Sequence, residues 1–371
     1  MKTRNYAVIM AGGKGVRFWP LSRPQKPKQL LKIFSQKTLI KETIERIRPL
    51  FRRRQILVVT AADHSDPLRD ELKNILPKSN FIVEPQGNNT APCLGLAAAE
   101  LAGRDPNAIM TVLPADHWIS DRASFCRTLK AAANVAGQYE ALVTIGVKPA
   151  YPETGYGYIL KGKKTDGPAG VESYRVQGFK EKPTEEVARR LIRSGCLWNS
   201  GIFAWRVSTF LTLLHRFLPS VFGSLMRIQR AAGNSSIASP DPRLLAVLRR
   251  EYKMMPNISI DHGVLERAGA EGKVMMLQAA FGWSDVGSWA AVHQMLPKDK
   301  SGNAGVGKWV GFRSRDCLVY SPDRMVALLG VTGMVVVDTA DALLVAPVER
   351  AQEVKDLVEE LKRKGFVRYT K

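Results

Sequence analysis

The chain has 371 residues, 45% of them hydrophobic, enough for one large core or two modest ones. Its formal net charge of +21 points to an anionic partner: nucleic acid, a membrane surface or an anionic substrate. The basic residues are dispersed, and the knots at 51–55, 189–193 and 248–253 lack interleaved aromatics, so no nucleic-acid partner is expected. The four cysteines, Cys93, Cys126, Cys196 and Cys317, form no C-x-x-C pair, which argues against a disulfide framework or a zinc site. No run reaches membrane-spanning length and no cleavage-site pattern follows the first apolar stretch. A cytoplasmic chain without a membrane partner is the expectation.

Strand and helix signals alternate in the first half. "YAVIM" (6–10) predicts a buried strand. "TLIKETIERIRPL" (38–50) predicts a helix with Leu39, Ile40, Thr43, Ile44 and Ile47 on one face. "QILVVT" (55–60) and "NFIVEP" (80–85) predict strands, with a helix starting at "DPLRDEL" between them. "APCLGLAAAELAG" (91–103) predicts a small-residue helix, and "AIMTVLPADH" (108–117) an apolar strand that ends in charge. "SFCRTLKAAANVAG" is helix-like and "ALVTIGV" (141–147) strand-like. This is an α/β pattern: a mostly parallel mixed sheet flanked by helices, with ligands at the carboxyl ends of the strands. Residues 151–205 mix short strands and turns, and 207–295 read as helical with polar insertions. "AAGNSSIASPDP" (231–242) reads as an exposed loop. From about 302 come short β segments, then a terminal helix with Val354, Leu357, Val358 and Leu361 on one face. The expected division is a domain over 1–295 and a small β-rich segment plus helix over 302–371.

The stretch "AVIMAGGKGVRFWPLSRPQKPKQLL" (7–31) carries the first chemical signal. Its spacing is G-G-x-G-x-R, so it matches neither the dinucleotide fingerprint nor the Walker loop. A tight strand-to-helix turn would account for Gly12, Gly13 and Gly15 alone. The cations Arg17 and Lys28, on a path stiffened by Pro20, Pro24 and Pro27, favour a phosphate loop with backbone N–H groups turned to the ligand.

This stretch resembles the signature of the sugar-1-phosphate nucleotidyltransferases, and its "FWPLSR" and "PKQ" variants resemble the mannose-1-phosphate guanylyltransferase branch. "EPQGNNTAP" (84–92), "LPADHWI" (113–119), "PETGYGYI" (152–159), "FKEKP" (179–183), "LWNSGIFAW" (197–205), "SIDHGVLE" (259–266) and "GWSDVGSW" (282–289) follow in the order of that branch. Each is weak alone; eight in order are not. The resemblance implies a Rossmann-like, glycosyltransferase-A-like domain with a β-helix-like C-terminal segment that often supports homodimer contacts. The implied reaction is attack of mannose 1-phosphate on the α-phosphorus of GTP, giving GDP-mannose and pyrophosphate with Mg²⁺ as cofactor.

The resemblance also assigns roles. Lys28, Arg17 and Asp116 are the catalytic set; Asp116 and Asp285 hold the metal, although a lone strand-end Asp would serve equally as a helix N-cap. Gly12, Gly13, Gly15, Asn89 and Thr90 bind the nucleotide; the family usually has Arg where Asn88 stands. Glu153, Gly155, Tyr156, Gly157, Glu181, Lys182, Asn199 and Asp261 bind the sugar phosphate. His117 reads as structural, since Mg²⁺ prefers oxygen, and Trp198 and Trp283 as packing residues. A phosphate nucleophile with a second pKa of about 6 is already ionised at neutral pH, so no general base is required. What the residues must do is neutralise and align two polyanions. Two other readings fit the motifs: a different sugar phosphate or base, and an idle homologue that binds GDP-mannose as a regulator. Long members of the branch carry an isomerase domain; at this length a single-function transferase is expected.

Overall fold

The computed structural model describes residues 4–13, 15–165, 171–233 and 235–371; Lys14 of the glycine loop and Asn234 of the 231–242 segment lie outside them. Fifteen strands are described. The first four are β1 (Asn5–Met10), β2 (Ile56–Ala61), β3 (Phe81–Glu84) and β4 (Ile109–Pro114). A short β5 (Trp118–Ile119) precedes β6 (Leu142–Val147), β7 (Gly157–Thr165), β8 (Ser173–Glu181) and β9 (Leu197–Arg206). Then come β10 (Val274–Ala279), β11 (Trp283–Ser284), β12 (Ala304–Phe312), β13 (Leu318–Leu329), β14 (Met334–Asp338) and β15 (Leu343–Pro347).

Nine strands form one mixed sheet in the order β3-β2-β1-β4-β9-β6-β10-β8-β7. The run β3-β2-β1-β4 is parallel, as is β10 with β6. Its strands are near-continuous apolar runs because helices cover both faces. The sequence placed 141–147 as the next parallel strand after 108–117. Instead β9 inserts between β4 and β6, antiparallel to both. A strand contributed from far downstream in the chain leaves no local signature in β6 itself.

Three predicted helices form close to their expected bounds, as Leu39–Ile47, Thr90–Arg104 and Arg122–Gln138, but the helix expected from Asp66 begins at Ala62, and 207–295, expected as helical, also holds β10 and β11. Thr38 caps the first of these by accepting from the Lys41 N–H, and its expected apolar face is buried. Three further helices, Val207–Phe217, Pro219–Ala232 and Pro242–Met254, pack with Thr90–Arg104 on one side of the sheet. The 231–242 segment is not simply an exposed loop. Ile237 and Ala238 are buried, and the Ile237 N–H donates to Glu100 Oε2 at 2.7 Å.

A second sheet, β12-β13-β14-β15, is parallel except for its last pair. The terminal helix Val354–Arg363 buries Val354 and Val358 as expected, but leaves Leu357 exposed. A separate core joins this sheet and helix to Phe18, Trp19, Leu31, Ile33 and Leu39 of the signature stretch and to Trp289. Among the described residues no helix is long and apolar enough to cross a membrane, and all four cysteines are free thiols.

Candidate active site

The glycine loop leaves the carboxyl end of β1 and turns through two short 3₁₀ segments, Val16–Phe18 and Lys28–Leu30. Gly15 immediately precedes the first of them, at φ +63°. Its carbonyl accepts from Ser22 Oγ at 2.8 Å and from the Phe18 N–H at 2.9 Å. A Cβ at Gly15 would lie 2.4 Å from the Lys28 Cβ. The glycine is therefore what lets the two arms of the loop touch. A Cβ added at Gly12 or Gly13 would meet nothing within 4 Å among the described residues.

Lys28 is the hub. Its Nζ pairs with Asp116 Oδ2 at 2.8 Å and donates to the Asp285 carbonyl at 2.6 Å, while the Phe18 ring lies 5.7 Å away. Loop, β4 end and β11 end thus converge on one ammonium group. Burial would raise the Asp116 carboxyl, but the charges of Lys28 and His117 and two hydrogen bonds bring it below its ordinary value. Asp285 Oδ1 accepts from the Tyr156 hydroxyl at 2.6 Å. Burial and then the Asp285 charge hold the Tyr156 phenol well above its usual range. Tyr156 thus reaches the carboxylate itself, a contact that its sequence position among sugar-binding candidates did not suggest. Gly287 completes the setting: a Cβ there would stand 3.1 Å from both Asp285 carboxylate oxygens.

His117 lies beside Asp116 but is turned to packing. Its Nδ1 accepts from the Trp283 indole N–H at 3.1 Å, and burial pushes the imidazole down to about 4, so it is neutral at pH 7. Trp198, Trp283, Tyr151 and Tyr156 pack edge-to-face and tilted around this point.

Two spaces with Gly155, Tyr156 and Asp285 in common adjoin this region. A cleft of about 960 Å³ is lined by Arg17, Glu153, Gly155, Tyr156, Asp285 and Gly287 on one side and by Asp316, Thr332 and Gly333 of the C-terminal sheet on the other. A smaller cavity of about 180 Å³ gathers Thr90, Gly155, Tyr156, Gly157, Glu181, Asn199, Asp261 and Asp285. Residues widely separated in sequence are thereby brought to one place. Asn199 Nδ2 donates to Asp261 Oδ1 at 2.8 Å, and the buried Thr144 donates to Asn199 Oδ1 at 3.0 Å. Burial, followed by the neighbouring Glu181 charge, raises the Asp261 carboxyl to about 6. Gly157 leaves room for Glu181: an added Cβ would be 2.4 Å from Oε2 and would displace that carboxylate.

Other expected residues stand further out. Lys182 adopts φ +42° with its N–H donating to the Tyr156 carbonyl, and its exposed side chain lies 3.7 Å from Glu181. Asn89 has φ +68° and accepts from the Thr90 N–H at 2.9 Å as helix cap. Thr90 Oγ1 accepts from the Ile260 N–H at 2.8 Å, leaving its own proton to donate. Asn88 is buried and its amide donates to the Tyr252 and Met255 carbonyls, which removes it from the candidates for base contact. His262 pairs with Glu266 on its own helical turn.

Sequence reasoning missed the residues that aim these groups. Gln29 Nε2 and Thr60 Oγ1 both donate to the Ala11 carbonyl at 3.0 Å, and Thr43 Oγ1 donates to the Ala115 carbonyl at 3.1 Å. They pin the backbone just beyond β1 and β4. Gln29 stands inside the "PKQ" stretch and could have been found there; Thr43 and Thr60 read only as helix and strand residues.

The nucleotidyl transferase family model matches residues 6–302, and a second model, the MannoseP isomerase/GMP-like beta-helix domain, matches 307–361. Mannose-1-phosphate guanylyltransferase of Escherichia coli is 38% identical over 365 residues, 98% of this chain and 75% of that protein. The Klebsiella pneumoniae protein of the same name is 38% identical over 359 residues, 96% and 74% of the two chains. A crystal structure described as mannose-1-phosphate geranyltransferase from Thermus thermophilus superposes with a TM-score of 0.85 at 33% identity, covering 97% of this chain and 100% of that one. On family match, near-full-length identity and shared fold, this chain belongs to the nucleotidyl transferase family.

Proposed function

We propose that the protein transfers GMP from GTP to α-D-mannose 1-phosphate, releasing pyrophosphate and forming GDP-mannose. The observation that carries this is the convergence on Lys28: an ammonium held by Asp116 and by the backbone of Asp285, which itself lines a cleft together with Arg17 and Gly287. The attacking phosphate oxygen is already ionised, so the chain supplies alignment and positive charge. Arg17 and the Gly12, Gly13 and Gly15 amides hold the triphosphate. Lys28 neutralises charge on the transferring phosphoryl group. Asn89 and Thr90 face the guanine edge. Glu153, Gly155, Tyr156, Gly157, Glu181, Lys182, Asn199 and Asp261 surround the sugar phosphate, with Tyr156 also steadying Asp285.

Asp116 and Asp285 fit a hard divalent cation. The Asp116 carboxylate pairs with Lys28, which also binds the Asp285 backbone carbonyl; the Asp285 carboxylate meets the Tyr156 hydroxyl, and the bare Gly287 keeps open the space against it that a Cβ would fill. Bound there, Mg²⁺ supplies charge neutralisation for the phosphate oxygens.

The proposal places the enzyme in the cytoplasm, divides the chain at 1–295 and 302–371, and includes a homodimer. The dimer is supported by exposed apolar side chains on the C-terminal sheet: Val310 and Phe312 on β12, Met325 and Leu329 on β13, Leu343 and Val345 on β15. The deciding assay is pyrophosphate release from each nucleoside triphosphate against a panel of sugar 1-phosphates, with and without Mg²⁺. GTP with mannose 1-phosphate should exceed GTP alone many-fold; equality would overturn the proposal.

A further inference from the structure

At the opposite end of the sheet lies a separate cavity of about 530 Å³, lined by Arg4, Tyr6, Arg52, Arg54, Gln55 and Arg104. The topology forces these arginines together. Arg4 immediately precedes β1, and Arg52 and Arg54 precede β2, which pairs parallel to β1 with Ala7 opposite Ile56. Arg104 ends the helix Thr90–Arg104, whose chain returns to β4, where the Ile109 N–H donates to the Arg4 carbonyl at 2.9 Å. Gln55 locks the turn: its Nε2 donates to the Asn5 carbonyl at 2.8 Å and its Oε1 accepts from the Arg52 N–H at 3.0 Å.

Most of the charge in this cavity is uncompensated. Among the described residues no acidic side chain lines it. Arg104 is paired with Glu100 at 2.6 Å, but Arg4, Arg52 and Arg54 have no ion pair among the described residues. Some arginines elsewhere meet carboxylates, as Arg227 meets Glu251 and Arg324 meets Asp338, but what sets this cavity apart is that four arginines line one space. Guanidinium groups gathered around one space without counter-charge raise the local positive potential, which draws anions. Their planar forks match phosphate oxygens, and the volume falls within the roughly 300–1,000 Å³ usual for small-ligand sites. Tyr6, itself buried, adds an aromatic wall.

We propose that this cavity is a second anion site, which takes a compact, multiply charged phosphate compound. It is distinct from the catalytic cleft, since the two lie at opposite ends of β1, separated by about 17 Å of extended strand. It also gives the dispersed positive charge of the chain a local purpose.

The test is calorimetric titration of the full chain with tripolyphosphate. An Arg17→Ala/Lys28→Ala background suppresses binding in the catalytic cleft. Saturable binding should persist in that background and weaken about tenfold or more when Arg52→Ala/Arg54→Ala is added, as loss of charge-assisted contacts requires. With Arg17 and Lys28 intact, Arg52→Ala/Arg54→Ala should leave the melting temperature unchanged, because both side chains are exposed. Absence of saturable binding, or binding that Arg52→Ala/Arg54→Ala does not weaken, overturns the proposal. So does tighter, steeply salt-dependent binding of a random single-stranded oligonucleotide that needs the same arginines, which would make the surface a nucleic-acid contact. None of these outcomes depends on which sugar phosphate the catalytic cleft accepts.

Discussion

Gly15→Ala tests how the loop delivers its cation. In the structure Gly15 has φ +63°, and a Cβ there meets the Lys28 Cβ at 2.4 Å, its N at 3.0 Å and its Cα at 3.1 Å. Ordinary contact begins at 3.4 Å, so the two arms must part by about 1 Å. The obstacle is backbone and the base of a side chain, which cannot swing away as a flexible tip would. The left-handed conformation adds roughly 1–2 kcal/mol for a residue with a Cβ. A displacement of that size at a group aligned on a reacting phosphoryl is expected to lower kcat about 10²-fold. Pyrophosphate release under saturating GTP and mannose 1-phosphate gives kcat, and thermal melting reports the fold. Gly12→Ala is the control: its Cβ enters open space, so the melting temperature should stay near that of the parent. If Gly15→Ala turns over within about twofold of the parent, far short of that loss, the close approach of the two arms is not what positions Lys28, and the argument fails.

Lys28→Ala should lower kcat by about 10²–10³, the usual cost of removing a preorganised donor to a charged transition state. In the same variant Asp116 loses its main counter-charge, so burial should carry its carboxyl above the ordinary value, observable by carbon-detected NMR titration. Gly157→Ala should raise KM for mannose 1-phosphate much more than KM for GTP, because its Cβ displaces Glu181 and leaves the glycine loop untouched; equal rises in both would place Glu181 elsewhere in the site. Glu84→Gln should flatten the pH dependence of stability. Burial raises the Glu84 carboxyl from 4.5 to about 7, so the fold favours the neutral acid. That contribution is complete below the unfolded value and is lost as pH rises through about 7, up to about 3 kcal/mol in all. Urea unfolding at about pH 5 and about pH 8, on either side of that loss, measures it, and an unchanged difference in the variant would show that Glu84 is not the titrating group.

Much of this molecule can be read from its residues because the informative signals are local. Apolar runs such as Ala7–Ile9 and Leu57–Val59 are buried on both faces, so they mark strands without knowledge of their neighbours. Loops at the carboxyl ends of β1, β3 and β4 carry Gly15, Asn89 and Asp116, and motif order ties them to Asp285. What stayed hidden is pairing between distant segments. Nothing in "LWNSGIFAW" says that this strand separates β4 from β6, since either neighbour presents the same apolar face. Tyr156 and Asn88 show the same limit at the level of side chains. Each has a polar group able to meet a ligand, and only three-dimensional placement shows that one reaches Asp285 and the other two backbone carbonyls. The burial of Ile237 and Ala238 in a polar stretch is likewise set by Glu100, 137 residues from Ile237.

The glycine loop has almost no regular structure of its own, yet it must hold Arg17 and Lys28 in fixed positions. Two 3₁₀ segments of three residues each cannot do that alone. The rigidity comes from the far end of the chain. Phe18, Trp19, Leu31, Ile33 and Leu39 share a buried core with Trp289, Leu318, Tyr320, Val335, Val337, Val354 and Val358. Three polar ties cross the same boundary: the Trp19 indole to the Tyr369 carbonyl at 2.8 Å, the Tyr320 hydroxyl to the Lys32 carbonyl at 3.3 Å, and Arg23 to Asp341 at 3.1 Å. The indole of Trp289, which follows Asp285 closely in the chain, returns to the Trp19 carbonyl at 3.2 Å. One packed unit thus carries the loop, the Asp285 turn and the C-terminal sheet. Gly15 permits the two arms of the loop to meet, and buried side chains supplied by the C-terminal third of the chain hold the loop in place. The C-terminal sheet therefore belongs to the construction of the site, even though no catalytic role is assigned to any of its residues.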